Sequence, residues 1–302
     1  HLGLTGPAEA IQTSCSSSLV ALVRGVHALR LGLCDVAVCG GVSLSPNAPM
    51  RKVDGMIWAQ DGICRPFSDD ASGTVLSDGG AMVVLTAGTC PRQCYASVRG
   101  VAVNNDGRRK STFSQPSHAG QVEVQRAALA DAGADPAEVD YVECHGTGTR
   151  VGDPIELQAL AEVHAGRASA QRPLLVGSIK GNVGHMNTAA GIASFVKAAL
   201  CVHHGEVPPS AHSARPNELV PWAHLPLRLA QAAHPDIIGM VGVSSYGIGG
   251  TNAHVVLARP ASPEEASAEL PVSSSGEAAV AAVPASLPLP PAQAERRAST
   301  LR

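Results

Sequence analysis

The spacing of apolar residues divides the chain into alternating strand-like and helix-like segments. From Ser16 onward apolar side chains fall at Leu19, Leu22, Val23, Val26, Leu29 and Leu33, a helical spacing that closes around Gly32. Ahead of it, Gly6 to Thr13 reads as a short strand entering a turn. Asp35 to Gly41 is a short apolar strand closed by a glycine pair, and Ala81 to Leu85 a buried strand behind the turn Asp78-Gly79-Gly80. A second series begins at Tyr95. Strands are predicted over Tyr95 to Val103, Val139 to Cys144, Leu174 to Ile179, Ile237 to Ser244 and Ala253 to Leu257. Helices are predicted over Gln121 to Ala132, Pro154 to His164 and Ala189 to His204. The alternation predicts a layered α/β fold with mostly parallel pairing. The two series divide the chain into 1–94 and 95–258. Residues 259–302 are rich in Pro, Ala and Ser, hold no aromatic residue and cannot offset their chain entropy by burial, so a disordered linker or tail is expected there.

Composition narrows the class. The chain has 302 residues, 45% apolar, enough for a sizeable core; with only 3% aromatics, that core must be packed from Ala, Val, Leu and Ile. A net charge of −3 supplies no basic footprint for nucleic acid. No run of roughly 18 apolar residues exists to span a membrane. The chain starts at His1 without a signal-peptide pattern and reads as an excerpt of something longer. Its eight cysteines form no Cys-x-x-Cys pair and no zinc-type spacing with histidine, so no metal is expected and a reducing, cytoplasmic setting fits.

Three loops carry reactive side chains. Cys15 lies in Thr13-Ser14-Cys15-Ser16-Ser17-Ser18-Leu19, between a predicted strand and a helix start, where free N–H groups and the helix dipole favour a thiolate. The plain alternative for a lone Cys before a helix is a buried structural residue. His145 opens His145-Gly146-Thr147-Gly148-Thr149 after one strand; Lys180 and His185 bracket Lys180-Gly181-Asn182-Val183-Gly184-His185 after another. Loops at the carboxyl ends of parallel strands line active crevices, so one site can gather all four. A thiolate accepts an acyl group, and two neutral imidazoles presenting N–H groups stabilise an enolate formed by decarboxylation. Lys180 could hold a carboxylate or tune His185 electrostatically. The loop Ser244 to Asn252 is too poor in Lys for a nucleotide site and instead offers backbone N–H groups for an oxyanion hole.

These motifs, with Gly152-Asp153-Pro154-Ile155-Glu156 and Gly249-Gly250-Thr251-Asn252-Ala253-His254 in the same order, resemble the β-ketoacyl synthase (ketosynthase) domain of modular type I polyketide synthases, from about Leu4 to Leu257. The resemblance implies a thiolase-like layered α-β-α-β-α fold of two similar halves, the first incomplete here, and usually a homodimer. It implies that Cys15 is acylated from the phosphopantetheine of an acyl carrier protein, with no cofactor bound directly. His145 and His185 would then promote decarboxylative condensation with a malonyl-type extender, supported by Lys180. It further implies an oxyanion hole from the backbone N–H groups of Cys15 and Ile248, pantetheine contacts at Thr147 and Thr149, and neighbouring polyketide synthase domains as partners. Tyr246 and Ile248 stand at substrate-contacting positions. Ile248 replaces a bulkier aromatic gate, which would admit larger acyl chains. A fatty-acid condensing enzyme and a non-elongating ketosynthase-like domain that only binds carrier protein are the alternative readings.

Overall fold

The computed structural model describes residues 3–44, 57–88, 94–110, 112–169, 172–235, 239–260 and 278–281. A 3-10 turn, Ser14–Ser16, leads into α1 (Ser17–Arg30), followed by β1 (Val36–Ser43), β2 (Gly79–Ala87), β3 (Cys94–Asn105), α2 (His118–Ala132) and β4 (Val139–Glu143). Then come α3 (Gly152–Val163), β5 (Leu174–Gly177), α4 (Lys180–Val183), α5 (Ala190–His204), β6 (Glu206–Val207), β7 (Leu227–Leu229), β8 (His234–Pro235), β9 (Met240–Tyr246), β10 (Thr251–Ala258) and β11 (Ala278–Ala281).

Nine strands form one mixed sheet in the order β1-β2-β11-β3-β10-β9-β4-β5-β7. Pairing is parallel from β9 through β4 and β5 to β7 and antiparallel from β1 to β9, so the expectation of mostly parallel pairing holds for one end only. Apolar periodicity marks a buried strand but not its direction; the tight β9–β10 connection forces an antiparallel pair.

The apolar stripe of α1 (Leu19, Leu22, Val23, Val26) meets Ile192, Phe195 and Ala198 of α5 in a core between strands. Each such aliphatic side chain contributes about 1.5–3 kcal/mol by leaving water. Both helices touch β2, β3 and β10, and α1 also packs on β1, so the sheet curls around them. On the far side of β3 and β10 lies α2, which packs on α3, and their residues Val122, Leu129, Leu157 and Leu160 form a second core with Val142, Val176 and Val256. The layers thus run α2/α3, sheet, α1/α5, sheet. The outer face of β1 and β2 presents Val36, Val38, Val42 and Met82 to solvent.

Two sequence expectations fail. Gly6 to Thr13 forms no strand: no described strand pairs with it, and residues 4–10 are exposed. In the stretch expected to be disordered, Ala278–Ala281 pairs with β2 and β3 as β11; a run of small residues with one Val can supply ladder hydrogen bonds without a bulky core face. The strand expected to begin at Ile237 starts at Met240, and 236–238 lie outside the described residues, as do the rest of the tail and Cys90.

Candidate active site

Parallel pairing of β4 with β5 and with β9 sends three loops out of the same sheet edge. The first carries His145, the second Lys180 and His185, the third Tyr246 to Gly250. Cys15 joins them from the start of α1, where Ser245 Oγ donates to its carbonyl oxygen at 2.9 Å. It does not follow a strand, as the sequence pattern implied. The turn that presents it has Ser14 at φ 56°, a left-handed conformation that costs a non-glycine residue energy and persists because its surroundings fix it. Here Ser17 Oγ donates to the Ser14 carbonyl at 2.7 Å, and Ser16 Oγ to that of Thr13 at 2.9 Å.

The Cys15 sulfur and one ring nitrogen from each of His145 and His185 lie within 4.8 Å of one another. The imidazole planes are nearly perpendicular, 87°, with centroids 5.6 Å apart. His185 Nδ1 accepts the Asn187 N–H at 3.1 Å, which leaves the ring proton on Nε2. Metal-bound histidines show the opposite arrangement, donating the nitrogen that does not ligate. His185 is therefore poised to donate a hydrogen bond from Nε2. Burial, then the Lys180 charge, pushes His185 down to about 3 and His145 well below the usual histidine value, so both rings are neutral near pH 7.

The thiol departs from the sequence expectation. Burial raises the Cys15 pKa above the ordinary thiol value, and this outweighs the lowering by the Lys180 charge and by the N–H groups of Ile248 and of Cys15 itself. Helix-start geometry lowers a thiol pKa only where water still reaches the sulfur. The resting group is a thiol whose sulfur already meets the two N–H groups expected to form the oxyanion hole.

Lys180 is buried, donates to the His145 carbonyl at 2.5 Å, and does not line the cavity. The cavity itself measures about 710 Å³ and is lined by Cys15, His145, His185, Thr147, Thr149 and Ile248, among others. Tyr246 also borders it, but its hydroxyl accepts from Gln125 Nε2 at 3.1 Å and its ring stands against His145 at 5.6 Å. The ammonium of Lys110 donates to the Ile248 carbonyl at 3.0 Å, a contact no sequence motif announced.

Two carboxylates shape the His145 loop. Glu156 accepts the N–H groups of His145 (2.7 Å) and Gly146 (2.8 Å); Asp153 accepts those of Phe67 (2.7 Å), Gly148 (3.1 Å) and Thr149 (3.3 Å). Their motif was visible in the sequence; this role was not, because nothing in spacing shows which N–H groups an acid will meet. Gly146 has φ 36°, and a Cβ there would lie 2.6 Å from Ser178 Cβ, which explains a glycine directly after the histidine.

Burial raises Glu156 to about 7 and Asp153 to about 6 despite these hydrogen bonds. Between pH 4.5 and about 7 the folded chain keeps a proton on Glu156 that the unfolded chain has lost. Stability from this group is thus full below 4.5 and fades as pH rises through 7. Thermal melts above the ordinary histidine pKa of about 6.5, where His164, His185 and His254 are neutral in both states, isolate it. The melting temperature is expected to fall from there toward pH 8, and Glu156→Gln to flatten that fall while costing about 1–3 kcal/mol for the N–H group left unmet.

Cys15, Cys34, Cys39, Cys64, Cys144 and Cys201 form no disulfide, and among the described residues no helix is long and apolar enough to cross a membrane. Three family models match in succession: Beta-ketoacyl synthase, N-terminal domain, over 1–89; Beta-ketoacyl synthase, C-terminal domain, over 95–214; and Ketoacyl-synthetase C-terminal extension over 216–290. Similar proteins include the spectinabilin polyketide synthase system protein NorA' of Streptomyces orinoci, 45% identical over 86% of this chain and 7% of that protein. Another is the polyketide synthase GfsA of Streptomyces halstedii, 41% identical over 84% of this chain and 4% of that protein. Ketosynthase twelve from the bacillaene polyketide synthase of Bacillus amyloliquefaciens superposes with a TM-score of 0.80 at 32% identity, over 85% of this chain and 48% of that one. The chain thus spans about half of that solved ketosynthase and a small part of the curated relatives.

Proposed function

The chain belongs to the β-ketoacyl synthase family, and from that premise we propose that it performs the condensing step of polyketide assembly. Cys15 attacks the thioester carbonyl of an acyl chain carried on the phosphopantetheine of an acyl carrier protein. The carrier thiol leaves with the proton, and the acyl group stays on Cys15. The N–H groups of Cys15 and Ile248 take the developing oxyanion. A malonyl-type extender then loses CO₂; the electron pair of the broken bond passes into a thioester enolate whose oxygen meets imidazole N–H groups. The enolate carbon attacks the acyl carbonyl, and Cys15 departs and regains a proton.

The observation that carries this reading is a thiol within 4.8 Å of two uncharged imidazole nitrogens, on the wall of one cavity that Ile248 also lines. Thr147 and Thr149, on the cavity wall, would meet the pantetheine arm, Ile248 and Tyr246 would flank the acyl chain, and Ile248 in place of an aromatic gate would admit larger chains. No cofactor is held by the chain itself. β1 is an edge strand with exposed Val36, Val38 and Val42, which favours pairing with a second copy in a homodimer. Carrier protein and neighbouring synthase domains complete the partners, in a reducing cytoplasm.

Incubation with an acyl-pantetheine thioester should add one acyl mass to the intact chain, and the adduct should be absent in Cys15→Ala. No adduct, or one that survives Cys15→Ala, would overturn the reading.

A further inference from the structure

The acids Glu156 and Asp153 are explained by the loop they hold. Glu143 is not. It ends β4, is fully buried, and stands two residues before His145. Its Oε1 accepts the Ile179 N–H at 2.7 Å. Its Oε2 accepts the Tyr141 hydroxyl at 2.6 Å and the Lys197 ammonium of α5 at 2.7 Å, and Lys197 also donates to the Tyr141 oxygen at 2.7 Å. None of these groups lines the cavity.

We propose that Glu143 is a positioning residue that registers the two histidine loops against each other, with Lys197 as its counter-charge at 2.7 Å. This rests on the condensing reading and deepens it. Glu143 holds Ile179 on the β5 side. The next residue, Lys180, reaches back to the His145 carbonyl on the β4 side. Ser178 Oγ adds a second return link, to the Gly146 carbonyl at 3.1 Å. The links run both ways, so a shift of either loop breaks one of them. A lone carboxylate at zero exposure is costly to bury; Lys197 supplies the opposite charge, and the pair adds no net charge beneath the two imidazoles. Lys180, by contrast, keeps its charge directed at the histidines.

The test uses the whole chain and three variants: Glu143→Gln, Lys197→Met, and the two combined. Acyl transfer to Cys15 and decarboxylation of a malonyl-pantetheine thioester are followed separately, with thermal melts as the measure of folding. In Glu143→Gln the unpaired Lys197 displaces the loops. Decarboxylation is expected to fall about 100-fold, the loss typical of a displacement near 1 Å, while acylation changes little. In Lys197→Met the buried Glu143 carboxylate loses its counter-charge, and decarboxylation is expected to fall as it does in Glu143→Gln. In the double variant the Gln amide oxygen can still accept from Ile179 with no charge left behind, and most of the lost decarboxylation should return.

Acylation and decarboxylation falling together, in step with melting temperature, would show a merely structural pair and overturn the proposal. So would wild-type decarboxylation in all three variants, or a double variant no better than Glu143→Gln. A wild-type chain that neither acylates nor decarboxylates would instead overturn the condensing reading, and this role with it.

Discussion

In a His185→Ala variant, Cys15 should still accept an acyl group while condensation falls about 100- to 1,000-fold, the loss that follows removal of one positioned oxyanion donor. The split follows from which groups face which oxygen. In the proposed reaction acyl transfer draws on the main-chain N–H groups of Cys15 and Ile248, neither of which belongs to an imidazole. Decarboxylation creates charge on a different oxygen, where the His185 proton, fixed on Nε2 by the Asn187 contact, is the available donor. Intact mass reads the first step and release of labelled CO₂ the second. Condensation at the wild-type rate would remove His185 from the chemistry. The pH behaviour supplies a second check. With His185 at about 3 and His145 held well below the usual histidine value, neither ring changes charge near neutral pH, so any step in the wild-type decarboxylation rate between about 6 and 7 should come from Asp153 or Glu156 and not from an imidazole.

Gly247→Ala should slow both steps about 100-fold or more, because it moves the peptide that both halves of the reaction share. A Cβ on Gly247 would sit 2.3 Å from the Thr13 carbonyl oxygen, 2.9 Å from Ser16 Oγ and 3.1 Å from the Thr251 carbonyl. Two of these are main-chain oxygens that cannot rotate away, and one of them, Thr13, lies beside the nucleophile. Either the Cys15 turn or the Ile248 N–H must shift, and the sulfur loses a donor. Gly249, two residues on, has nothing within 4 Å of a new Cβ, so Gly249→Ala in the same assays is the matched comparison. Equal rates in both variants would mean that the close approach at Gly247 has no catalytic consequence.

Much of this site was legible along the chain because it lies in loops that end strands, and strand ends are where periodicity breaks. His145, Lys180 and His185 could be named on those grounds; Cys15 was named from a helix start behind an expected strand that is not formed, and the resemblance supplied Ile248. Direction and environment were not legible. The pattern in β3, β9 and β10 reads as buried strand whether the neighbours run parallel or antiparallel. Gly6 to Thr13 has strand-like composition and no partner strand among the described residues. The ionisation of Cys15 turned on a balance between burial and N–H donors that no spacing displays. Glu143 left a trace, a charged residue closing a short strand just ahead of His145, but its partners Ile179 and Lys197 lie 36 and 54 positions away and meet it only in the folded sheet.

The hydrogen bond from Ser245 to Cys15 joins residues 230 positions apart. A chain that has formed α1 but not yet docked it against β9 and β10 owns the cysteine and none of its chemistry: no neutral imidazoles, no N–H pair, no buried sulfur. Contacts of such sequence separation are slow to form, since a long loop must close before they reward it. The thiol should therefore be alkylated readily early in refolding and become protected only when the last strands arrive, which makes Cys15 a clock for completion of the fold.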